Sequence, residues 1–447
     1  MTAAASPARA VAARVLERVD TDAAFADLAL DAELDRHRLS VRDVALATEL
    51  IYGTLRWQRY LDWILAPHSR RRLASLDSRV LILLRVTAYQ LAFLERVPAF
   101  AAVNDAVTLA RAKPGVAEYV NGVLRSFSRR GIREREPAPP RDPLEALATR
   151  CSFPTWLAGR WVTRYGLAEA EALMRALNER PALGIRANTL RLSRDDLAAR
   201  LREEGVDSTP MRLAPEGVVV DGAGDPGRWR TFAEGRCVVQ DEGSMLVARL
   251  LEPAAGATIA DVCAAPGTKT THLAQLMDNR GRVLALDPQA GRLGRVSEAA
   301  ARLGVTIVEA VDGPVETLAP RWTGLCDGVL VDAPCSNLGV LRRNPEVKWR
   351  RTEDDLRRLQ QKQRTILGAA AAMAKPGGVL VYATCSPEPE ENEDVVLPFL
   401  AAHPDWVIEA PAGFLVPPDE GGMIRLFPHR HGTDAFTAVR LRRRGRR

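Results

Sequence analysis

Hydrophobic positions in the first 130 residues recur with helical spacing. Val11, Val15, Leu16 and Val19 follow one helical stripe, and Leu81, Leu83, Leu84, Val86, Leu91 and Leu94 form a nearly continuous apolar face. Pro98 and Pro114 punctuate this pattern, and strand-type alternation is absent. Arg129 to Pro143 (RRGIREREPAPPRDP) is charged, proline-rich and aperiodic, which predicts a linker closing an all-α domain over 1–132. The run FPTWLAGRWVTRYGLAEAEALMRAL then predicts two helices up to about Leu177. GIRANTL reads as a strand, Arg194 to Glu204 as a helix and Gly217 to Asp221 as a short strand, so a small α+β connector is expected over 145–235.

From residue 236 the period changes again. ATIADVCAA, RVLALD, VTIVEAVD, CDGVLVD and GGVLVYATC are short apolar runs separated by helical or loop segments. That alternation predicts an α/β, Rossmann-like, doubly wound parallel sheet over 236–442, followed by a basic tail at 443–447. Ligands of such sheets bind beyond the carboxyl ends of the strands.

Composition changes this picture little. The 447 residues are 47% apolar and 26% charged, which excludes a disordered chain. The longest apolar run, Ile366 to Ala374, falls far short of the ~18 residues of a membrane span. The early Arg9, Arg14 and Arg18 leave no apolar core for a signal peptide. The six cysteines (Cys151, Cys237, Cys263, Cys326, Cys335 and Cys385) contain no CxxC pair. A reduced, cytoplasmic protein with no membrane partner is expected. The net charge of +6 is compatible with nucleic acid, but an Arg- and Ala-rich chain reaches it from base composition alone.

The first βα junction carries the ligand chemistry. In Asp261 to Thr271 (DVCAAPGTKTT), the small residues Ala264, Ala265 and Gly267 allow a ligand close to the backbone, and a helix begins near Thr268. Asp287 ends the next strand, the usual place for an acid gripping ribose hydroxyls, and Asp312 ends the third, where it could receive an adenine amino group. Neither a P-loop nor a Gly-x-Gly-x-x-Gly pattern is present.

Two thiols stand at the next two strand ends. VDAPCS sets Asp332 near Cys335, and YATCSPEPEEN presents Cys385 where a helix could begin, a setting that favours thiolate. Most strand-end cysteines are buried small hydrophobes. Here a thiolate, a carboxylate and a nucleotide-like cofactor together suit methylation of cytosine carbon 5. A thiolate adding to carbon 6 makes carbon 5 nucleophilic, the carboxylate supports protonation at the ring N3 side, and a base then removes the carbon-5 proton.

The strings CAAPGTKT, LVDAPCSNLGVLRRNPEVKW and YATCSPEPEENE closely resemble the Sun-type RNA cytosine-C5 methyltransferases, over residues 150 to 442. The resemblance implies S-adenosyl-L-methionine, held by Cys263, Ala264, Ala265, Pro266, Gly267, Thr268, Lys269, Asp287, Asp312 and Asp332. It also implies Cys385 as nucleophile and Cys335 as the group that assists release of methylated RNA. Thr268 replaces a glycine of the family pattern, adding bulk near the methionine part of the cofactor, and Ala435 replaces another. ATELIYGTLR, VPAFAAVNDAVTLAR and YVNGVLR resemble the RNA-binding factor NusB, over residues 5 to 130. That pairing points to the bacterial RsmB-like subgroup, which modifies small-subunit (16S) ribosomal RNA or an assembly intermediate. A transfer-RNA methyltransferase and a non-catalytic assembly factor are the competing readings. The first is disfavoured by the NusB-like domain, the second by intact Cys335, Cys385, Asp332 and Lys269.

Arg342, Arg343 and Lys348, with Arg350 and Arg351, cluster after Cys335 and are expected to bind RNA phosphates. Arg70 to Arg72 and the arginines of the tail are weaker candidates. His429 and His431 lack a third ligand at suitable spacing, so no metal is expected.

Overall fold

The computed structural model describes residues 5–111, 114–129, 136–220, 224–409, 411 and 413–445. Part of the expected linker (130–135), Asp221 and the last two tail residues therefore lie outside the described residues. The chain forms two compact units. One comprises 1–179 together with 341–350, the other 180–340 and 351–447.

The first unit is helical. Its early helices run over Pro7–Thr21, Ala26–Arg36, Val41–Arg56, Gln58–Leu65, Ser78–Phe93, Ala99–Ala110 and Val116–Ser128. Their apolar stripes meet in one core, with Val11, Leu16, Leu50, Ile51, Leu84 and Phe127 fully or nearly fully buried. Each such side chain contributes about 1.5–3 kcal/mol on leaving water. Ser40 and Asp77 cap two helix starts by accepting from the amides of Asp43 and Arg79.

Helices Pro143–Arg150, Thr155–Tyr165 and Leu167–Leu177 also belong to this unit. The expected linker stops one residue early, because Asp142 caps the first of these helices with Pro143 in its first turn. Arg59 ties them in, donating to Thr149 Oγ1 at 3.1 Å, the Phe153 carbonyl at 2.8 Å and Thr155 Oγ1 at 2.8 Å, and pairing with Glu145. The units consequently divide at Glu179–Arg180, whereas the change of hydrophobic period suggested borders near 145 and 235.

The second unit contains two sheets. The smaller is antiparallel, in the order β2 (Ser208–Pro210), β3 (Gly217–Val220), β1 (Leu183–Ala187), β4 (Cys237–Val239), with helix Arg194–Glu203 against it. The larger has a parallel core formed by β5 (Thr258–Asp261), β6 (Arg282–Asp287), β7 (Val308–Asp312), β8 (Cys326–Asp332) and β9 (Ala374–Thr384). Their order is β9-β8-β5-β6-β7, so the direction of winding reverses between β5 and β8. Alternate residues enter two cores: Val329 and Val331 pack with Ile366, Leu367 and Ala370 of helix Glu353–Met373, and Leu330 with Leu273 and Met277 around helix Thr268–Leu276. Both faces are thus covered, as the continuous apolar runs predicted.

Beyond β9 the sheet gains three antiparallel strands that the sequence pattern did not announce, β10 (Trp406–Ile408), β11 (Ile424–Leu426) and β12 (Phe436–Arg443). No helix among the described residues is long and apolar enough to cross a membrane.

Candidate active site

The switch point between β5 and β8 opens into a cavity of about 490 Å³, all of whose walls come from the second unit. The carboxyl ends of β5, β6, β8 and β9 bring Cys263, Asp287, Asp332 and Cys385 to it. The strand-end positions singled out in the sequence thus converge on one site, with Asp312 the exception.

Asp287 lines one part of the cavity. Its carboxylate accepts from the Gln289 amide at 3.0 Å and the Ala265 amide at 3.3 Å, which fixes its orientation against the β5 loop. Pro288, Pro314 and Val315 add apolar wall beside it, with Glu316 at the rim. Arg292 donates to the Ala265 carbonyl at 3.0 Å. Asp312 pairs in register with Asp287 on the edge strand β7, but it is exposed and does not line the cavity.

Of the loop itself, Cys263, Ala265 and Lys269 face the cavity, while Ala264, Pro266, Gly267 and Thr268 shape its backbone without lining it. Arg186 reaches from β1, fully buried, and donates to the Thr268 carbonyl at 2.8 Å and Thr271 Oγ1 at 3.1 Å. Burial pulls its pKa down to about 9. Thr268, which replaces a glycine of the family pattern, does not line the cavity. Asp261, beneath the loop, accepts from Thr270 Oγ1 at 2.7 Å, and burial raises its pKa to about 7.

At the other end of the cavity, Cys335 and Cys385 stand with their Sγ atoms 3.1 Å apart. The Cys385 thiol also lies 3.0 Å from Asn337 Oδ1, to which it can donate. Asn337 adopts φ 62°, a left-handed conformation that Asn tolerates better than most residues. Lys269 Nζ donates to Asp332 Oδ2 at 2.6 Å, keeping a carboxylate and an ammonium within this pocket. Burial opposes the Lys269 charge, but the charge and hydrogen bond of Asp332, with Cys385 and Asp261 adding to them, together raise its pKa.

Cys385 is not at a helix start; a 3₁₀ turn, Pro389–Glu391, is the next element. The neighbouring Cys335 thiol, then burial, push the Cys385 thiol well above its ordinary value, with Lys269 opposing. The thiolate setting inferred from the sequence is thus replaced by one in which Lys269 is the favourable charge.

Gly339 joins the two thiol loops. Its amide donates to the Cys385 carbonyl at 2.9 Å, and its own carbonyl accepts from the Ala435 amide at 3.0 Å. A Cβ here would collide with the carbonyl oxygens of Ala435 and Cys385, so only glycine permits this approach. Phe436, next to Ala435, lines the cavity with Lys269 Nζ 5.3 Å from its ring centre. Phe436, Asn337, Gln289 and Lys362 escaped the sequence reading, though Asn337 lies only two residues past Cys335.

The expected phosphate-binding cluster is rearranged. Arg342 and Lys348 are buried in the helical unit, and Arg343 is half-buried. Lys348 Nζ donates to the Arg56 carbonyl at 2.8 Å and to Asn178 Oδ1 at 2.9 Å. Glu346 accepts from the Ala26 amide at 3.1 Å, and Arg350 donates to the carbonyls of Val19, Ala23 and Ala24. Lys348 and Arg350 thus spend their donors on protein acceptors, so their basic character serves packing. His431 Nδ1 accepts from the Phe427 amide at 2.9 Å.

A doubly wound sheet with a cavity at its switch point, preceded by a helical module, defines a Rossmann-like α/β enzyme fold joined to an all-α unit. Family models match in three blocks. They are the NusB family at 6–129, the RsmF/B-like ferredoxin-like domain at 153–225, and the 16S rRNA methyltransferase RsmB/F at 248–442. The chain is 36% identical to the "Probable ribosomal RNA small subunit methyltransferase B" of Bacillus subtilis (strain 168), across 98% of this chain and 99% of that protein. It is 37% identical to the ribosomal RNA small subunit methyltransferase B of Pseudomonas putida, across 89% of each. Among solved structures, PH0851 aligns over 98% of this chain and 99% of its own at 29% identity, with a TM-score of 0.83. NSun6 from Pyrococcus horikoshii, solved with SFG, covers 65% of this chain and 98% of its own at 26% identity and a TM-score of 0.60. The chain belongs to the RsmB/F family of methyltransferases.

Proposed function

We propose that the protein transfers a methyl group from S-adenosyl-L-methionine to carbon 5 of a cytosine in small-subunit ribosomal RNA, through a covalent adduct on Cys385. The observation that carries this reading is the thiol pair, 3.1 Å apart, in the same cavity as the Asp332 carboxylate and the oriented Asp287.

The donor set fits the proposed methyl donor. Asp287, already oriented by two backbone amides, offers its remaining lone pairs to ribose hydroxyls, and the apolar wall of Pro288, Pro314 and Val315 suits an adenine ring. When bound there, S-adenosyl-L-methionine supplies an electrophilic methyl group. Asp332 and Lys269 sit toward the thiols, where Asp332 can bond the N3 edge of a cytosine splayed out of its RNA. Cys385 Sγ, as thiolate, adds to carbon 6, which gives carbon 5 its nucleophilic character; carbon 5 would then take the methyl group, with S-adenosyl-L-homocysteine as the leaving group. Cys335, as thiolate beside Cys385, takes the carbon-5 proton, and the bond from carbon 6 to Cys385 breaks as the ring double bond is restored. Names of relatives that act on small-subunit ribosomal RNA support the substrate.

Bisulfite sequencing of ribosomal RNA tests this reading. A strain lacking the gene is expected to lose one protected cytosine in the small-subunit RNA, restored by the wild-type gene. An unchanged pattern in that RNA removes the substrate assignment. Asp287→Ala is expected to weaken S-adenosyl-L-methionine binding about 10- to 100-fold, the worth of one or two charge-assisted hydrogen bonds. Calorimetry with the pure protein measures it, and an unchanged Kd takes Asp287 out of the ribose site.

A further inference from the structure

We propose that Glu391 is a positioning residue for Cys335, holding that thiol where it can take the carbon-5 proton; the proposal rests on the cysteine roles given above. Glu391 is fully buried and carries three donors on its carboxylate. Oε1 accepts from the Ser336 amide at 2.7 Å and from Gln363 Nε2 at 3.0 Å, and Oε2 accepts from Ser336 Oγ at 2.5 Å. Gln363 Nε2 also donates to the Pro334 carbonyl at 2.9 Å.

The peptide groups on both sides of Cys335 are therefore held by one interacting pair, Pro334 through Gln363 and Ser336 through Glu391. The Glu391 main chain is itself fixed, its carbonyl accepting from Tyr382 Oη of β9 at 2.7 Å. Ser336 Oγ additionally lies 3.2 Å from Ser386 Oγ, next to Cys385, so the same network meets both thiol loops. Glu391 does not line the cavity and touches neither sulfur, so its effect reaches the chemistry only through the placement of Cys335. A carboxylate suits this place because it presents acceptors alone, matching an N–H, an O–H and an amide NH₂ at once. A buried carboxylate is costly to retain unless hydrogen-bond donors meet it, as three do here.

A displaced Cys335 should slow proton removal while leaving Cys385 free to add to the base. Glu391→Ala is therefore expected to build up protein–RNA adduct resistant to denaturing gel electrophoresis, about 10-fold above wild type, because small misplacement of a reacting group costs rate steeply. Single-turnover measurements should show slowed release with adduct formation nearly unchanged. Glu391→Gln, which keeps an acceptor for the Ser336 amide, should fall between Glu391→Ala and wild type. Loss of fold alone would lower both rates together and leave no adduct. If Glu391→Ala does not fold, Glu391→Gln and Gln363→Leu take its place, and excess adduct in either supports the proposal. The control is Cys335→Ala in the full-length protein. Adduct in that control with wild-type release in the Glu391 and Gln363 variants overturns the positioning role. No adduct in the control overturns the cysteine assignment, and the proposal with it.

Discussion

Cys385→Ala is expected to abolish methyl transfer, lowering turnover by about 10⁴-fold or more, as removal of a covalent nucleophile does. The neighbouring groups explain why nothing substitutes for it. Cys335 is the nearest other nucleophile, yet a single thiol cannot both hold carbon 6 and take the proton from carbon 5. Asp332 is engaged with Lys269 Nζ at 2.6 Å. Because Cys335 and burial raise the Cys385 thiol well above its ordinary value, the thiolate fraction grows as pH rises, and the wild-type rate should climb from neutral toward alkaline pH. Methyl incorporation from labelled S-adenosyl-L-methionine measures both effects. Retained activity in Cys385→Ala would remove the proposed nucleophile.

Cys335→Ala is expected to behave in the opposite sense, adding to the base but failing to let it go. The carbon-5 proton then lacks an acceptor within reach, and the thioether to Cys385 persists. Most of the enzyme in a stoichiometric mixture should migrate with RNA on a denaturing gel, and multiple turnover should fall by about 10²- to 10⁴-fold, the usual worth of a positioned general base. Because the two sulfurs are only 3.1 Å apart, geometry alone treats them nearly alike. The gel separates them: adduct in Cys385→Ala and none in Cys335→Ala would exchange the roles.

The parallel core of the sheet was legible because strands buried on both faces read as uninterrupted apolar runs. β12 was not legible, since Arg440, Arg442 and Arg443 interrupt its apolar positions. Arg440 is nonetheless buried, its charge met by Glu252 and Glu409, partners far away in the chain. Lys348 misled for the same reason. A run of basic residues looks solvated unless the acceptors are known, and here they come from Arg56 and Asn178, on helices remote in sequence. The cavity residues at strand ends were found from the topology rule for open α/β sheets. Asp312 failed that rule because β7 is the sheet edge, where a strand end overlooks solvent. Asn337 and Glu391 carried no pattern of their own, since their importance arises from what they accept.

The ten residues Leu341–Arg350 make this chain hard to dissect. A fragment starting at Arg180 would contain every residue lining the cavity, and so would look like a self-sufficient catalytic module. It would also carry those ten residues stripped of their acceptors, with Trp349 parted from the Leu55 carbonyl and Lys348 from Arg56 and Asn178. The excised piece would thus bear a sticky apolar and basic loop only six residues after Cys335. A cut that leaves Lys348 and Trp349 their acceptors has to keep the N-terminal helices as well.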